Sequence, residues 1–177
     1  SFLATTVTKK PRGLAFTTSD TTPGRALWIL VDGDPVDKLL KVDADTGALI
    51  TSFGTNGGVD APSKFTEGVT FLNTGTPSTS FLWIAANEDF SAKVFKVNPT
   101  TGALVTTFNL QNTANVFGQF GGITNDGTNL IVHGDDNNDV SVIDPFDGSS
   151  VQTSFPCCPS GFTFGATGLT RHAGRGQ

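Results

Sequence analysis

Apolar and polar positions alternate along the chain in three similar units, each opened by a glycine at Gly13, Gly68 or Gly122. A run of mostly apolar residues follows in each unit, at 26–31, 81–86 and 129–133. A second patterned run comes next, at 38–43, 93–98 and 139–144, and each unit closes on a phenylalanine: Phe53, Phe108 and Phe155. Because repeats of this size are typical of stacked supersecondary units, the pattern predicts an array of like units.

Each unit divides into four predicted strands. The second strand is a continuous apolar run, which indicates burial on both faces. The third and fourth strands are joined by Asp43-Ala-Asp-Thr-Gly47, Asn98-Pro-Thr-Thr-Gly102 and Asp144-Pro-Phe-Asp-Gly148. An Asx residue followed by a glycine in the left-handed conformation makes a tight hairpin. The fourth strand is predicted from Ala48, Ala103 or Ser149 to the closing phenylalanine.

A four-stranded antiparallel unit of about 45–55 residues, buried on both faces, is a β-propeller blade. The sequence therefore predicts an all-β fold in which residues 1–177 form one propeller-like repeat region. We place the blades at about 14–53, 68–108 and 122–155. The alternative is a β-sandwich with accidental internal similarity. Trp28 and Trp83 occupy the same register, which argues against the sandwich, and we expect both side chains to be buried between neighbouring sheets.

Both ends of the chain match incomplete blades. Ser1-Phe2 matches the unit-closing Ser52-Phe53, and Gly168-Leu-Thr matches the start of a unit, which predicts a partial blade at 165–177. Three blades do not close a ring, since propellers need about four to eight. We therefore expect a segment of a larger propeller, or one that several copies complete. The predicted partners are further blades of the same polypeptide or identical copies of this chain.

Composition restricts the class of protein. Charged residues make up 15 % of the 177 residues, and the formal net charge is −5. A low-charge chain rich in Ser, Thr, Asn and Gly is typical of secreted β proteins, so we expect an extracellular or cell-surface location, with the periplasm as the alternative. Scattered Lys and Arg argue against nucleic-acid binding.

No apolar run reaches the roughly 18–20 residues of a membrane span. The chain has no Met and no signal peptide, which suggests processing or a longer parent chain.

The chain resembles blades of bacterial extracytoplasmic propellers of the NHL, YVTN and quinoprotein-like groups. The resemblance lies in the order of its motifs, which is Gly-Leu, Leu-Trp-Ile, Lys-Val-Asp/Asn, Thr-Gly-Ala-Leu and Phe. The resemblance covers nearly the whole chain, and its motifs are structural. It implies a propeller and leaves the activity open, because such folds host enzymes, adhesins and scaffolds. In quinoprotein blades a Trp follows four residues after the turn glycine, where Thr51 stands here. This departure argues against a quinone cofactor.

Acidic and amide side chains follow the second strand in all three units. Their oxygens are the ligands that Ca²⁺ prefers, so a calcium site near the central channel is one interpretation. The other is that Asp and Asn form turns and keep the surface soluble. The candidate calcium ligands are Asp32, Asp34, Asp135, Asp136 and Asp139.

Three further residues carry reactive side chains. His133 ends the third buried run and is either a general base, a metal ligand or a structural residue. Cys157 and Cys158 are adjacent, and three states are open to them: a vicinal disulfide, a bridge to another chain, or two free thiols. We find no pattern typical of a catalytic triad or a phosphate loop.

Two classes of function fit these features. The first is a non-catalytic extracellular binding or structural module of a larger surface, adhesive or filament-forming assembly. The second is a fragment of a propeller enzyme, similar to a lactonase or a lyase, with a metal at the channel mouth.

Overall fold

A computed structural model of the protein describes residues 10–17, 25–33, 35–54, 57–76, 78–88, 91–113, 120–134 and 139–156. These residues form three four-stranded antiparallel sheets, and every sheet is a simple meander in chain order. The predicted all-β fold and its four-stranded units are thereby confirmed. Three predictions lie outside the described residues: the partial blade at 165–177, the match of Ser1-Phe2 to a blade end, and the state of Cys157 and Cys158.

The strands of the first sheet are β1 (Pro11–Thr17), β2 (Ala26–Val31), β3 (Lys38–Asp43) and β4 (Gly58–Asp60). Those of the second sheet are β5 (Thr66–Leu72), β6 (Phe81–Glu88), β7 (Ser91–Val97) and β8 (Leu104–Asn109). Those of the third sheet are β9 (Phe120–Asn125), β10 (Leu130–Gly134), β11 (Asp139–Ile143) and β12 (Ser150–Pro156). A single helical turn, α1 (Leu110–Thr113), follows β8. No helix in the described ranges has the length and apolarity that a membrane crossing requires.

The sheets stack on one another through two apolar layers, with the inner strands β1, β5 and β9 side by side in that order. We call the face of a sheet that lies toward the next sheet its leading face, and the opposite face its trailing face. The leading faces of the first and second sheets are marked by Trp28 and Trp83, and both side chains are fully buried, as predicted. The trailing faces of the second and third sheets cover them with Val69, Leu82, Ile84, Ile123, Leu130 and Val132.

The predicted turn is confirmed in all three units, and it joins the third and fourth strands in the second and third sheets. Gly47, Gly102 and Gly148 have φ of 72°, 74° and 75°, the left-handed region that favours glycine. The Asp43 carboxylate accepts hydrogen bonds from the backbone N–H groups of Asp45 and Thr46. Hydrogen bonds from Thr46 hold the pKa of the Asp43 carboxyl below its ordinary value. Asn98 and Asp144 form the corresponding turns.

The hairpin glycines also join neighbouring blades. Phe53 packs edge-on against Trp28, with ring centroids 5.0 Å apart, and a Cβ on Gly102 would approach the Phe53 ring to 3.1 Å. In the next blade Phe108 stacks on Trp83 at 5.9 Å. The phenylalanine that closes each of these two blades is therefore held between its own tryptophan and the hairpin of the blade that follows.

The fourth strand of the first sheet differs from the prediction. The expected strand from Ala48 to Phe53 makes one isolated bridge, between Leu49 and Val42, and Gly58–Asp60 instead completes the sheet. The physical reason lies in two left-handed glycines, Gly54 and Gly57, with φ of 58° and 83°. They turn the chain so that a later segment pairs with β3, and the first sheet consequently extends to residue 60 rather than 53.

Candidate functional site

An extra residue interrupts the pairing of every inner strand just before the glycine that opens the unit. Pro11 pairs with Val31, yet Gly13 pairs with Leu30, which leaves Arg12 as the bulged residue. The same irregularity occurs at Glu67 in the second sheet and at Gly121 in the third. Because a β-bulge bends the strand and re-aims a side chain, these positions can point toward the loops that follow the second strands.

The first two bulged side chains bond to residues at or just after the end of the second strand. The Arg12 Nε donates to Asp32 Oδ1 at 2.5 Å, and the Asn87 Nδ2 donates to Glu67 Oε1 at 3.4 Å. The pKa of Arg12 is raised above its ordinary value, first by the hydrogen bond to Asp32 and further by the nearby charges of Glu67 and Asp37. We name Arg12, Asp32, Glu67 and Asn87 the bulge cluster.

A buried carboxylate, that of Asp37, joins the first two sheets. Asp37 lies in the loop before β3 and is almost fully buried. Its Oδ2 accepts hydrogen bonds from Thr66 N at 3.0 Å and Thr66 Oγ1 at 2.7 Å, and its Oδ1 accepts one from Gly33 N at 3.1 Å. Because Thr66 begins the second sheet, Asp37 ties the first blade to the second. The sequence did not indicate this residue, since Ala92 stands at its place in the next unit.

Asp37→Ala is expected to lower the free energy of unfolding by about 2 kcal/mol, because it leaves buried N–H groups without their acceptor. Urea unfolding measures the loss. Asp60→Ala is the matched control: Asp60 is an exposed carboxylate paired with Lys38, and such surface pairs contribute about 1 kcal/mol at most. Equal losses in the two variants would contradict a tie between blades at Asp37.

Of the five predicted calcium ligands, two lie in the described part of the chain. Asp32 is bound by Arg12, and Asp139 is the first residue of β11, opposite Gly134 and Pro156. Asp34, Asp135 and Asp136 lie outside the described residues. Within the described ranges, no three His, Cys, Asp or Glu side chains converge closely enough to hold a metal ion. A calcium site at these loops therefore stays a prediction.

His133 occupies a core position. It lies in β10 opposite Gly122 and Val140, and its side chain is fully buried. The strand register places it where the first two sheets carry Leu30 and Ala85, both of which are buried. Of the alternatives open to His133, this position favours the structural one.

No protein-family model matches the chain, and no curated protein matches it either. Among solved structures it is similar to BamB from Moraxella catarrhalis, with a TM-score of 0.47 and 17 % identity over 81 % of this chain. It is also similar to a protein of unknown function from Bacteroides caccae, with a TM-score of 0.48 and 14 % identity over 84 % of this chain. The match spans 37 % of the first structure and 46 % of the second, so this chain corresponds to less than half of either.

Proposed function

We propose that this chain is a non-catalytic binding or structural module of a larger extracellular or cell-surface assembly. It joins that assembly through the trailing face of its first sheet. Cross-strand register puts Leu14 beside Ile29 and Leu40, and Phe16 beside Leu27, on this one face. The face is therefore apolar across three strands, as a surface that packs against another sheet must be.

The observation that carries the proposal is a contrast in exposure at one repeat position. Leu14, Val69 and Ile123 are equivalent in the strand register of the three sheets. Val69 and Ile123 are each 4 % exposed because the preceding sheet covers them, whereas Leu14 is 61 % exposed. Phe16, two residues further along β1, is 44 % exposed. Leu14 and Phe16 of the inner strand are thus exposed on a face of which Ile29, Val31 and Val42 are themselves buried.

The energetics favour a covering partner. Burying a leucine or phenylalanine side chain contributes about 1.5–3 kcal/mol, and contiguous exposed apolar patches commonly mark interaction sites. Arg25 lies over the Phe16 ring, 5.3 Å from its centroid, and pairs with Asp45. The apolar face therefore has a charged rim, which is the usual anatomy of a protein interface. The low charge and the abundance of Thr, Ser and Asn support the extracellular location.

A double variant, Leu14→Glu with Phe16→Glu, tests whether this face is an interface. We expect it to abolish most binding of an apolar-surface dye such as ANS and to leave the thermal midpoint within about 2 °C of the parent. Exposed positions outside special features usually change stability by no more than about 0.5 kcal/mol. Phe146→Glu is the matched control, since Phe146 is 89 % exposed on the hairpin after β11. If the double variant no longer unfolds cooperatively while the Phe146→Glu control still does, the face is part of the internal core and the proposal is overturned.

A further inference from the structure

We propose that the bulge cluster and the exposed ring of Phe65 together form a binding surface for a neutral carbohydrate. We name these five residues the bulge surface. It lies at one end of the inner strands β1 and β5, and it uses none of the residues of the trailing face described above. The proposal goes beyond the proposed function, because it assigns a ligand class to a second surface of the chain.

Strand pairing brings Phe65 next to the bulge cluster. The Phe65 carbonyl accepts a hydrogen bond from Asn87 N at 2.9 Å, which sets Phe65 opposite Asn87 where the second sheet begins. Residues opposite each other in an antiparallel pair have Cβ atoms about 4.5–5.5 Å apart, so the two side chains are neighbours. Glu67, whose carboxylate accepts a hydrogen bond from Asn87 Nδ2, lies two residues further along the strand. The aromatic ring therefore borders an amide and a carboxylate.

Phe65 is an exposed ring at a position where the first sheet carries a charged residue. The Lys10 carbonyl accepts a hydrogen bond from Asp32 N at 2.9 Å, so Lys10 is the equivalent of Phe65 in the first sheet. Phe65 is 51 % exposed, and the Lys64 Nζ lies 5.0 Å from its ring centroid. An apolar ring beside a few hydrogen-bonding groups is the combination that small-ligand sites share.

Arg12 and Asp32 offer a donor and an acceptor side by side. Arg12 Nε donates to Asp32 Oδ1, and within the described ranges neither side chain makes a further hydrogen bond. The N–H donors of the terminal guanidinium nitrogens and the Asp32 Oδ2 acceptor therefore remain for a ligand. Both side chains are partly exposed. This pair matches two adjacent hydroxyl groups, each of which can donate and accept a hydrogen bond.

Opposite charges balance in and beside the bulge surface. Cations and carboxylates are equal in number here: Lys10, Arg12 and Lys64 against Asp32, Asp37 and Glu67. The pKa of Arg12 is raised in part by the charges of Glu67 and Asp37, because these carboxylates lie near its guanidinium. An anionic ligand at Arg12 would be repelled by both, and a cationic ligand at Asp32 would be repelled by Arg12. A neutral ligand avoids either repulsion.

A carbohydrate fits the ring, the hydrogen-bonding groups and the neutral balance together. Its hydroxyl groups donate to Asp32 and Glu67 and accept from Arg12. Its pyranose ring presents a face of C–H groups that packs on an aromatic ring such as that of Phe65. A peptide that adds to a sheet edge relies on main-chain hydrogen bonds, whereas the groups gathered here are side chains.

Binding of the full chain to an array of immobilised neutral glycans tests the proposal, followed by calorimetry with the strongest soluble glycan. We expect Phe65→Ala to raise the dissociation constant about 30-fold, as loss of an aromatic hot spot does. Arg12→Gln should raise it about tenfold, as loss of a hydrogen bond from a charged group does. Phe65→Tyr keeps the ring and should stay within about threefold of the parent.

The controls separate this surface from other parts of the chain. Phe146→Ala removes an exposed ring elsewhere and should leave the dissociation constant unchanged. The Leu14→Glu, Phe16→Glu variant alters the trailing face alone and should bind the glycan as the parent does, so the proposed function is tested apart from this proposal. Thermal midpoints within about 2 °C of the parent show that the Phe65 and Arg12 variants are folded.

Three results would overturn the proposal. The first is that the chain binds no glycan of the array, or binds one equally well in Phe65→Ala. The second is a dissociation constant that rises about tenfold or more with added NaCl, since screening of that size indicates a charged ligand. The third is that hexaglycine binds and Phe65→Ala abolishes its binding, which would assign the bulge surface to peptides.

Discussion

Replacing Gly13 with valine is expected to lower the free energy of unfolding by about 3 kcal/mol, the upper end of the usual cost of overpacking a closely fitted core. A Cβ at Gly13 would lie 2.9 Å from the backbone nitrogen of Val69 and 3.0 Å from the Cα of Gly68. Both atoms belong to the neighbouring inner strand β5, which cannot retreat as a flexible side chain can. The two inner strands must therefore move apart, and the apolar layer between the first two sheets loses contact.

A graded series makes this prediction specific. A Cβ at Gly68 would meet Ile123 N at 3.2 Å, a milder approach than the 2.9 Å at Gly13, so Gly13→Ala should cost more than Gly68→Ala. Gly75→Ala is the control for backbone strain alone, because Gly75 has φ of 88° and nothing lies within 4 Å of its added Cβ. Denaturant unfolding of the three alanine variants measures the order. A loss at Gly13 no larger than that at Gly68 would contradict close packing of the inner strands.

The same glycines show how far the sequence predicts this fold. Their recurrence marked the start of each unit, and the strand register confirms that Gly13, Gly68 and Gly122 are equivalent. Their physical role was not evident from the chain, since spacing along one strand does not reveal what approaches from the next sheet. The turn at Gly47 was predictable because its determinants, an Asx residue and a left-handed glycine, are local.

The fourth strand of the first sheet could not be predicted in the same way. Leu49 to Phe53 has the composition of a strand, and its counterparts in the other units are strands. The pairing was decided by Gly54 and Gly57, which admit a turn that non-glycine residues resist. Residues 48–50 bond to the end of β3 and residues 58–60 pair with its start, and sequence periodicity does not show that a turn separates the two.

The bulge cluster was half predictable. The loop residue Asp32 was a candidate ligand because acidic and amide residues recur there. Its partner Arg12 comes from a different strand, and the bond depends on a bulge that shifts the register by one residue. Asp32 thus pairs with a cation of the same chain, a partner that the sequence pattern did not indicate. Asp37 was missed for a related reason, because its partner Thr66 belongs to the next unit.

Trp28→Ala and Trp83→Ala are each expected to lower the free energy of unfolding by about 3–5 kcal/mol, the usual cost of truncating a fully buried aromatic side chain. Each tryptophan supports the phenylalanine that closes its blade, Phe53 or Phe108, so the cavity also loosens the joint with the following hairpin. Similar losses are expected at both sites because the positions are equivalent. Equilibrium unfolding in urea measures them.

A conservative pair of variants separates ring packing from hydrogen bonding. Within the described part of the chain, neither indole N–H of Trp28 and Trp83 meets an acceptor. Trp28→Phe therefore gives up no hydrogen bond and removes a buried unsatisfied donor, a type of group that costs about 1–3 kcal/mol. We expect it to recover more than half of the stability lost in Trp28→Ala. Phe146→Ala, at an exposed ring, should change stability by about 0.5 kcal/mol or less. A loss under about 1 kcal/mol in both tryptophan-to-alanine variants would show that the blades do not depend on these two rings.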